Sequence, residues 1–245
     1  MLKIYRFICI ALLNVLTAVS AFAFIPQEGM DSVRNPNVKL YTSREAARRA
    51  IEKNKEPKLF NGVGVGVDIV GPIMRAASSY GNYEGMIRVN LLETYFPVLE
   101  IGIGDCNHTE ESTNITFATR APFFRLGCDV NFSKSKKSGN RIFGGARYGF
   151  SSFEYDITAP DIVDPNWGTL VPYQLRKING NKHWGELLFG IESRIFNHMQ
   201  IGWAVRYKFN LADKHGDSSK PWYVPGFGRN KNGTFGVNFN LIFEL

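Results

Sequence analysis

Gly233-Thr-Phe-Gly-Val-Asn-Phe-Asn-Leu-Ile-Phe-Glu-Leu245 is the stretch that decides the fold. Phe235, Val237, Phe239, Leu241, Phe243 and Leu245 hold every second place, and Thr234, Gly236, Asn238, Asn240 and Glu244 lie between them, with Ile242 the one apolar exception. Successive side chains of an extended chain point to opposite faces. This period of two therefore predicts a strand with one apolar, aromatic face and one small, polar face.

The same alternation recurs upstream. Val63, Val65, Val67 and Ile69 oppose Gly62, Gly64, Gly66 and Asp68, and Tyr83, Ile87, Val89 and Leu91 oppose Glu84, Arg88 and Asn90. Tyr95, Leu99, Ile101 and Ile103 form a third stretch, and Phe124, Leu126, Cys128, Val130 and Phe132 a fourth. Ile142, Ala146, Tyr148 and Phe150, then Leu187, Phe189, Ile191 and Ile195, then Ile201, Trp203, Val205, Tyr207 and Phe209 supply three more. With the terminal strand the pattern predicts eight strands. Connections alternate as well: Leu92 to Thr94, the Lys/Ser/Gly run at 134–139 and Phe196 to His198 are short, whereas 156–182 and 211–232 are long. Short turns at one end and long loops at the other, with an even strand number, predict an antiparallel transmembrane β-barrel whose termini are both periplasmic. Outer-membrane barrels of Gram-negative bacteria end on such an alternating strand, with Leu245 here in place of the usual terminal Phe. Pro72, Pro97 and Pro122 are assigned to strand ends, where a missing N–H leaves the ladder intact.

Alternation alone does not say which face is outside, because soluble ligand-carrying barrels are apolar within and polar without. The polar face repeats glycine, as a crowded small lumen requires, and it carries near-equal numbers of acids and bases. Asp68, Glu84, Glu100, Asp129, Glu186, Glu192 and Glu244 stand against Arg88, Arg125, Arg141, Arg147, Arg194, Arg206 and Lys208. Buried charges must pair, so this balance suits an interior. Tyr83, Tyr95, Tyr148, Trp203 and Tyr207 on the apolar face suit a girdle at the membrane boundary. Eight strands leave room in the lumen only for side chains, which argues against a diffusion pore.

Lys3 and Arg6 precede an apolar run from Phe7 to Val19, closed by Ser20-Ala21-Phe22-Ala23. The expected organisation is a signal peptide over 1–23, a periplasmic lead-in over 24–59 and the barrel over 60–245. The run is shorter than the ~20 residues of a membrane helix. Within the lead-in, Ser43 to Asn54 reads as a short helix with Ser43 as N-cap. Cleavage would remove Lys3 and Arg6 but no acid, lowering the formal charge from +7 to about +5. The remaining bases are spread along the chain without a nucleic-acid module around them. Anionic lipid and lipopolysaccharide are the expected partners for basic loops.

Few residues suggest chemistry. Cys106 and Cys128 fall on opposite faces, so two free thiols are expected and no metal spacing links them to a histidine. His108, His183, His198 and His215 lie in or beside connections, and none shares a strand with a nucleophile. His183 beside Trp184 is the one candidate for lipid-modifying chemistry, with an interfacial ring the plainer reading. Asp156, Asp161 and Asp164 match no calcium-loop spacing and read as solvated acids. No cofactor is expected. The long loops combine aromatics with rigid Pro and Gly in Asp164-Pro-Asn-Trp-Gly168, Val171-Pro-Tyr173 and Pro221-Trp-Tyr-Val-Pro-Gly-Phe-Gly228. Trp167, Tyr173, Trp222, Tyr223 and Phe227 are the candidate docking residues, since stiff aromatic loops lose little entropy on binding. The alternative is that they pack on one another and cap the barrel.

Arg147 to Asp156, Asp164 to Gly168, His183-Trp184, Gly202 to Lys208 and Pro221 to Gly228 together resemble an uncharacterised family of small outer-membrane barrels, itself a domain of unknown function. The likeness runs from about Leu59 onward. It implies an outer-membrane location, assembly by the barrel insertion machinery, and a non-enzymatic structural or interaction subunit. Such a subunit docks an outer-membrane or surface lipoprotein partner, or works in an assembly or transport complex. A lipid- or lipopolysaccharide-modifying enzyme is the alternative expectation, and a narrow channel or ligand carrier ranks below it.

Overall fold

The computed structural model describes residues 59–133, 140–163, 168, 170–171, 173–216 and 220–245. The expected signal peptide, the lead-in helix at 43–54 and Trp167 lie outside the described residues.

The barrel strands are β1 (Phe60–Asp68), β2 (Tyr80–Leu91), β3 (Tyr95–Thr109), β4 (Thr116–Asn131), β5 (Arg141–Thr158), β8 (Gln174–Phe196), β9 (Met199–His215) and β12 (Gly233–Glu244). Two-residue pairs β6 (Ile162–Val163) with β7 (Leu170–Val171), and β10 (Tyr223–Val224) with β11 (Gly228–Arg229), decorate the loops. The eight long strands close into an antiparallel ring in the order β1-β12-β9-β8-β5-β4-β3-β2. Closure joins the terminal strand to the first, with Val65 opposite Phe243 and Val67 opposite Leu241. Beyond that ladder, Leu245 N donates to Val63 O at 2.8 Å. A ring has no free edge, so every strand finds a ladder partner on both sides.

Period two resolves the two faces. Leu126 and Phe189 are 64% and 58% exposed, whereas Arg125 and Glu100 are 1% exposed. The polar face is thus the lumen and the apolar face the outer wall. Ile242, the exception in the terminal strand, points inward into a small apolar cluster with Met86 and Val98.

Several strands run further than the apolar pattern predicts. The long connections at 156–182 and 211–232 are partly strand, since β5 reaches Thr158, β8 begins at Gln174 and β9 continues to His215. The reason is an inversion of amphipathicity while the same alternate positions go on facing inward. Toward the long-loop end of β5, Ser151, Phe153 and Tyr155 are buried while Ser152, Glu154 and Asp156 are exposed. In β4, likewise, Phe117, Ala121 and Phe123 point inward and Arg120 outward. The inner wall changes from charged to apolar at this end, and the outer wall changes from apolar to polar.

Two proline assignments change. Pro72 lies in the first turn of a helix, α1 (Val70–Ala77), which alternation does not predict. The first turn has no intrahelical partner for that N–H, so proline costs nothing there. Asp68 Oδ2 accepts from Gly71 N at 2.7 Å and its Oδ1 from Phe239 N at 3.0 Å, tying the start of α1 to β12. Pro122 lies well inside β4, where the β4–β5 ladder lapses between Thr119 and Phe124. Ser151 Oγ donates to the Pro122 carbonyl at 2.9 Å and satisfies it there.

Candidate functional site: a charged and plugged lumen

Inward positions on neighbouring strands stack acids and bases into one buried network. Arg125 donates through Nη1 to Glu84 Oε1 at 2.9 Å and Glu100 Oε2 at 2.7 Å, and through Nη2 to Glu84 Oε2 at 3.0 Å. Arg206 reaches Glu100 Oε2 at 2.6 Å and Glu186 Oε2 at 3.1 Å. Arg147 holds Asp129 in a fork at 2.7 and 2.8 Å and touches Glu100 Oε1 at 3.3 Å. Glu100 therefore accepts from three guanidinium groups. Toward the short-turn end, Arg88 Nη1 donates to both oxygens of Glu192, at 2.9 and 2.8 Å, and Arg141 Nε donates to Glu192 Oε2 at 2.6 Å.

The ring order gives these pairs a consequence. β9 stands diametrically opposite β3, and β2 opposite β8. Arg206 to Glu100 and Arg88 to Glu192 are therefore bridges across the full lumen. Both are charge-assisted, and the Arg206 pair is bidentate, with Nη2 donating to Glu100 Oε1 at 2.9 Å as well, which fixes geometry as well as charge.

Two residues assigned to the charge network take other partners. Asp68 accepts from backbone N–H groups at α1 and β12. Lys208 Nζ donates to the carbonyls of Gly226 at 2.7 Å and Phe227 at 3.3 Å. Arg194 stays in the network at its exposed short-turn end, 3.5 Å from Glu244, which also accepts from Arg88 at 3.1 Å. Trp184 joins the network as well: it stands two places before Glu186 in β8, so the same alternation turns its indole inward, where Nε1 donates to Glu186 Oε1 at 2.7 Å.

Above the network lies the stretch expected to dock partners. Tyr223 and Phe227 are each 1% exposed, so the reading of these two as surface anchors is corrected. The hairpin of β10 and β11 dips into the barrel mouth as a plug. Phe227 N donates to Val224 O at 3.1 Å across a turn with Pro225 second and Gly226 third, and Gly226 has φ +79°. That is the type II arrangement, which needs glycine where φ is positive. The turn tip rests on the network, because Arg125 Nη2 also donates to Gly226 O at 3.3 Å. Tyr223 Oη donates to Asn82 Oδ1 at 2.7 Å, and burial pushes its phenol up from the ordinary range, keeping it a neutral donor. Phe117, Phe123, Phe153, Tyr155 and Trp184 surround the plug as an apolar core. The inversion of the strands is the socket for this loop. Trp222 is partly exposed, lying flat on the His108 ring at 3.9 Å with the Arg229 guanidinium 4.9 Å from its own ring centre. Tyr173 remains exposed at the long-loop end.

The other candidates separate cleanly. His183 Nδ1 lies 2.5 Å from Tyr148 Oη and its ring 4.8 Å from Phe150, an aromatic cluster that no serine or acid joins among the described residues. His108, in contrast, meets a nucleophile from another element: Ser79 Oγ lies 3.0 Å from Nδ1, and Glu110 Oε2 lies 3.6 Å from Nε2. Ser79 follows α1, so no strand-by-strand reading pairs it with His108. Cys106 is buried beside the plug, Cys128 is partly exposed, and both are free. Asp156 Oδ1 accepts from Lys177 N at 2.7 Å, and no metal-holding cluster occurs among the described residues.

The family model described as "Domain of unknown function (DUF6048)" matches residues 3–244. The chain belongs to the DUF6048 family. No curated protein matches it. Among solved structures, the DUF6048 chain is similar to CarO2 of Acinetobacter baumannii at 14% identity and TM-score 0.41, over 76% of this chain and 99% of that one. It is also similar to a major outer membrane protein of Thermus thermophilus at 11% identity and TM-score 0.36, over 75% of this chain and 98% of that one. Likenesses of this size carry no argument about what the DUF6048 chain does. Its own faces, bridges and plug have to supply one.

Proposed function

We propose that the mature protein is an integral outer-membrane barrel acting as a non-enzymatic structural or interaction subunit, with its lumen sealed. One observation carries the reading: the exposed wall of a closed sheet is built of aliphatic and aromatic side chains, while the charges are inside. Water-soluble monomers do not expose an apolar band around their whole girth, and a closed barrel is the one sheet that satisfies its backbone in lipid. Tyr83, Tyr95, Tyr148 and Tyr207 on this wall suit the girdle positions. The short turns and the two ends of the barrel sequence then face the periplasm, and the long loops face outward. A membrane-crossing strand takes ~9–11 residues, so β5 with 18 and β8 with 23 project well beyond the outer boundary. Partners such as surface lipoproteins would meet this ridge. Leu170, Tyr173 and Leu211 are exposed along it and replace the plug aromatics as the contact candidates. Lipopolysaccharide surrounds the outer half, and insertion follows the usual barrel machinery.

The test is fractionation with gel mobility. The protein should appear in outer-membrane fractions and migrate differently before and after boiling. A dominant soluble pool would refute the reading. For the interaction, a photo-crosslinker at Tyr173 should capture an envelope protein that one at the buried Tyr223 does not.

A lipid-modifying enzyme is the second reading, favoured by Ser79, His108 and Glu110. A serine proton passed to an imidazole backed by a carboxylate is the arrangement acyl transfer needs. Against it, Trp222 covers the imidazole face and the carboxylate stands 3.6 Å away. Labelling of the folded protein by a fluorophosphonate, lost in Ser79→Ala, would establish the enzyme and displace the first reading.

A further inference from the structure

β12 finds a neighbour on each side, but along different lengths. It pairs with β9 from Gly233 to Phe243, and with β1 only from Asn240 to Glu244, because β1 ends at Asp68 and the chain turns into α1. We propose that the edge of β12 left above this point, Gly233 to Val237, receives an extended segment of a partner protein as one further antiparallel strand. The proposal rests on the orientation and the interaction role given above, and it names how a partner is held.

The parity of the hydrogen bonds shows which groups are left. Phe239 faces away from β9: its N–H donates to Asp68 Oδ1 at 3.0 Å and its carbonyl accepts from Ile69 N at 2.9 Å. Even-numbered positions face the β9 side, since Asn210 N donates to Asn232 O at 3.0 Å and Glu244 N to His198 O at 2.8 Å. The ladder with β9 runs without a shift along β12, so Gly233, Phe235 and Val237 turn their N–H and C=O groups the same way as Phe239. Among the described residues no hydrogen bond reaches them there.

α1 does not stand in for the missing strand. It leans on the β2 side of the gap: a Cβ on Gly71 would collide with the Asn82 carbonyl oxygen, and one on Gly81 would lie 2.5 Å from Arg75 Cβ. Ser78 Oγ, just past the helix, donates to Tyr80 O at 2.9 Å. Nor can β1 continue upward between its neighbours. Extended, the chain would aim Gly71 at β12 and Pro72 at β2, and proline has no N–H to give that ladder.

Height and chemistry select the occupant. The Phe235 ring lies 4.9 Å from that of the girdle residue Tyr207, so the edge descends from the outer boundary into the outer half of the wall. Open sheet edges are not left in hydrocarbon, where no water meets the N–H and C=O groups. The groups on this edge recur as a donor and an acceptor at every second residue, roughly 7 Å apart. A lipid chain has no such repeat. An extended backbone has it, and a ladder of main-chain bonds is how strand addition holds a peptide. The incoming strand needs apolar side chains beside Phe235 and Val237, which are 76% and 52% exposed on the outer wall. Between them it needs small or polar ones, beside Gly236 and the buried Asn238. A second copy does not fit: two copies inserted the same way up bring β12 against β12 running in one direction, whereas the place left by β1 is antiparallel to β12.

Val237→Pro tests the edge directly. It deletes an N–H that faces the gap and none that bonds β9, so the barrel should fold with unchanged yield and stay heat-modifiable. Asn238→Pro, one place on, removes a β9 bond and should lower that yield. In cells, p-benzoylphenylalanine at position 235 of the assembled protein should form, on irradiation, an adduct whose captured peptide is sequenced by mass spectrometry. The expected peptide comes from another envelope protein and alternates apolar with small or polar residues. The same probe at Leu126, exposed on β4 across the ring, should not capture it, and Val237→Pro should cut the adduct at position 235 at least tenfold. No protein adduct above the Leu126 level, or an adduct that survives Val237→Pro, overturns the proposal. So does capture of lipid alone, of a second copy or of the insertion machinery alone, and so does loss of the folded barrel in Val237→Pro. Capture at Tyr173 without capture at position 235 would remove the strand addition and leave the interaction role standing, while a wrong location would show in the fractionation.

Discussion

Gly226→Ala isolates the plug from the rest of the barrel. Gly226 sits at φ +79°, and a Cβ there would lie 2.5 Å from Phe123 Cγ and 2.7 Å from its Cδ2. The backbone cost for an L-residue in the left-handed region is ~1–2 kcal/mol. Phe123 cannot retreat freely, because it is fully buried with the Arg125 guanidinium 4.6 Å over its ring. Overpacking of that kind adds roughly 1–3 kcal/mol. The combined ~2–5 kcal/mol falls on a hairpin held by a few hydrogen bonds and one apolar cluster, and the closed ladder is untouched. The hairpin should therefore leave its socket while the barrel stays folded. Limited trypsin digestion of intact cells, or of protein in micelles, should then cut at Lys220, Arg229 or Lys231, which resist in the parent. Planar-bilayer recordings should stay silent in both proteins, since the Arg206–Glu100 and Arg88–Glu192 bridges still cross the lumen. Unchanged protease resistance with unchanged stability would refute the plug; stepwise conductance in the variant would refute the bridges as the seal.

Arg206→Met should destabilise by ~3–5 kcal/mol, because Glu84, Glu100 and Glu186 lose a shared buried partner; urea unfolding followed by gel mobility measures it. Val237→Arg on the apolar wall should cost up to ~2–4 kcal/mol and lower the yield of folded barrel in liposomes, whereas a water-exposed wall would absorb it within about 0.5 kcal/mol. Replacing Tyr223 and Phe227 together by Ala should lower thermal stability through lost packing, with any envelope partner still captured at Tyr173. In native micelles a bulky maleimide should label Cys128 and leave Cys106 unreacted until denaturation, and mass spectrometry should find no disulfide.

The strand count, the pairing of short and long connections, and the two chemically distinct faces were all legible in the chain. Each follows from a local rule, the period-two projection of side chains, so Phe235 to Leu245 can be read without knowing its neighbours. The same rule misleads wherever chemistry on a face changes along one strand. Phe153 and Tyr155 look like continuation of nothing, because the apolar residues have moved to the inner face and the pattern seems to stop. Only the position of the plug explains them. Nor does local sequence pair Ser79 with His108, since the two meet only where the chain leaving α1 packs against β3.

Local pattern carried the inventory: alternating strands, balanced acids and bases on one face, aromatics and rigid turns in the last long loop. Tertiary closure decided what those parts meet. Arg206 and Glu100 lie 106 positions apart and bond only because ring order sets β9 opposite β3. Tyr223 and Phe227 became core instead of surface because an eight-stranded mouth is narrow enough for one hairpin to fill, with apolar walls to receive it. Burial is a property of the closed ring, and no single strand carries it.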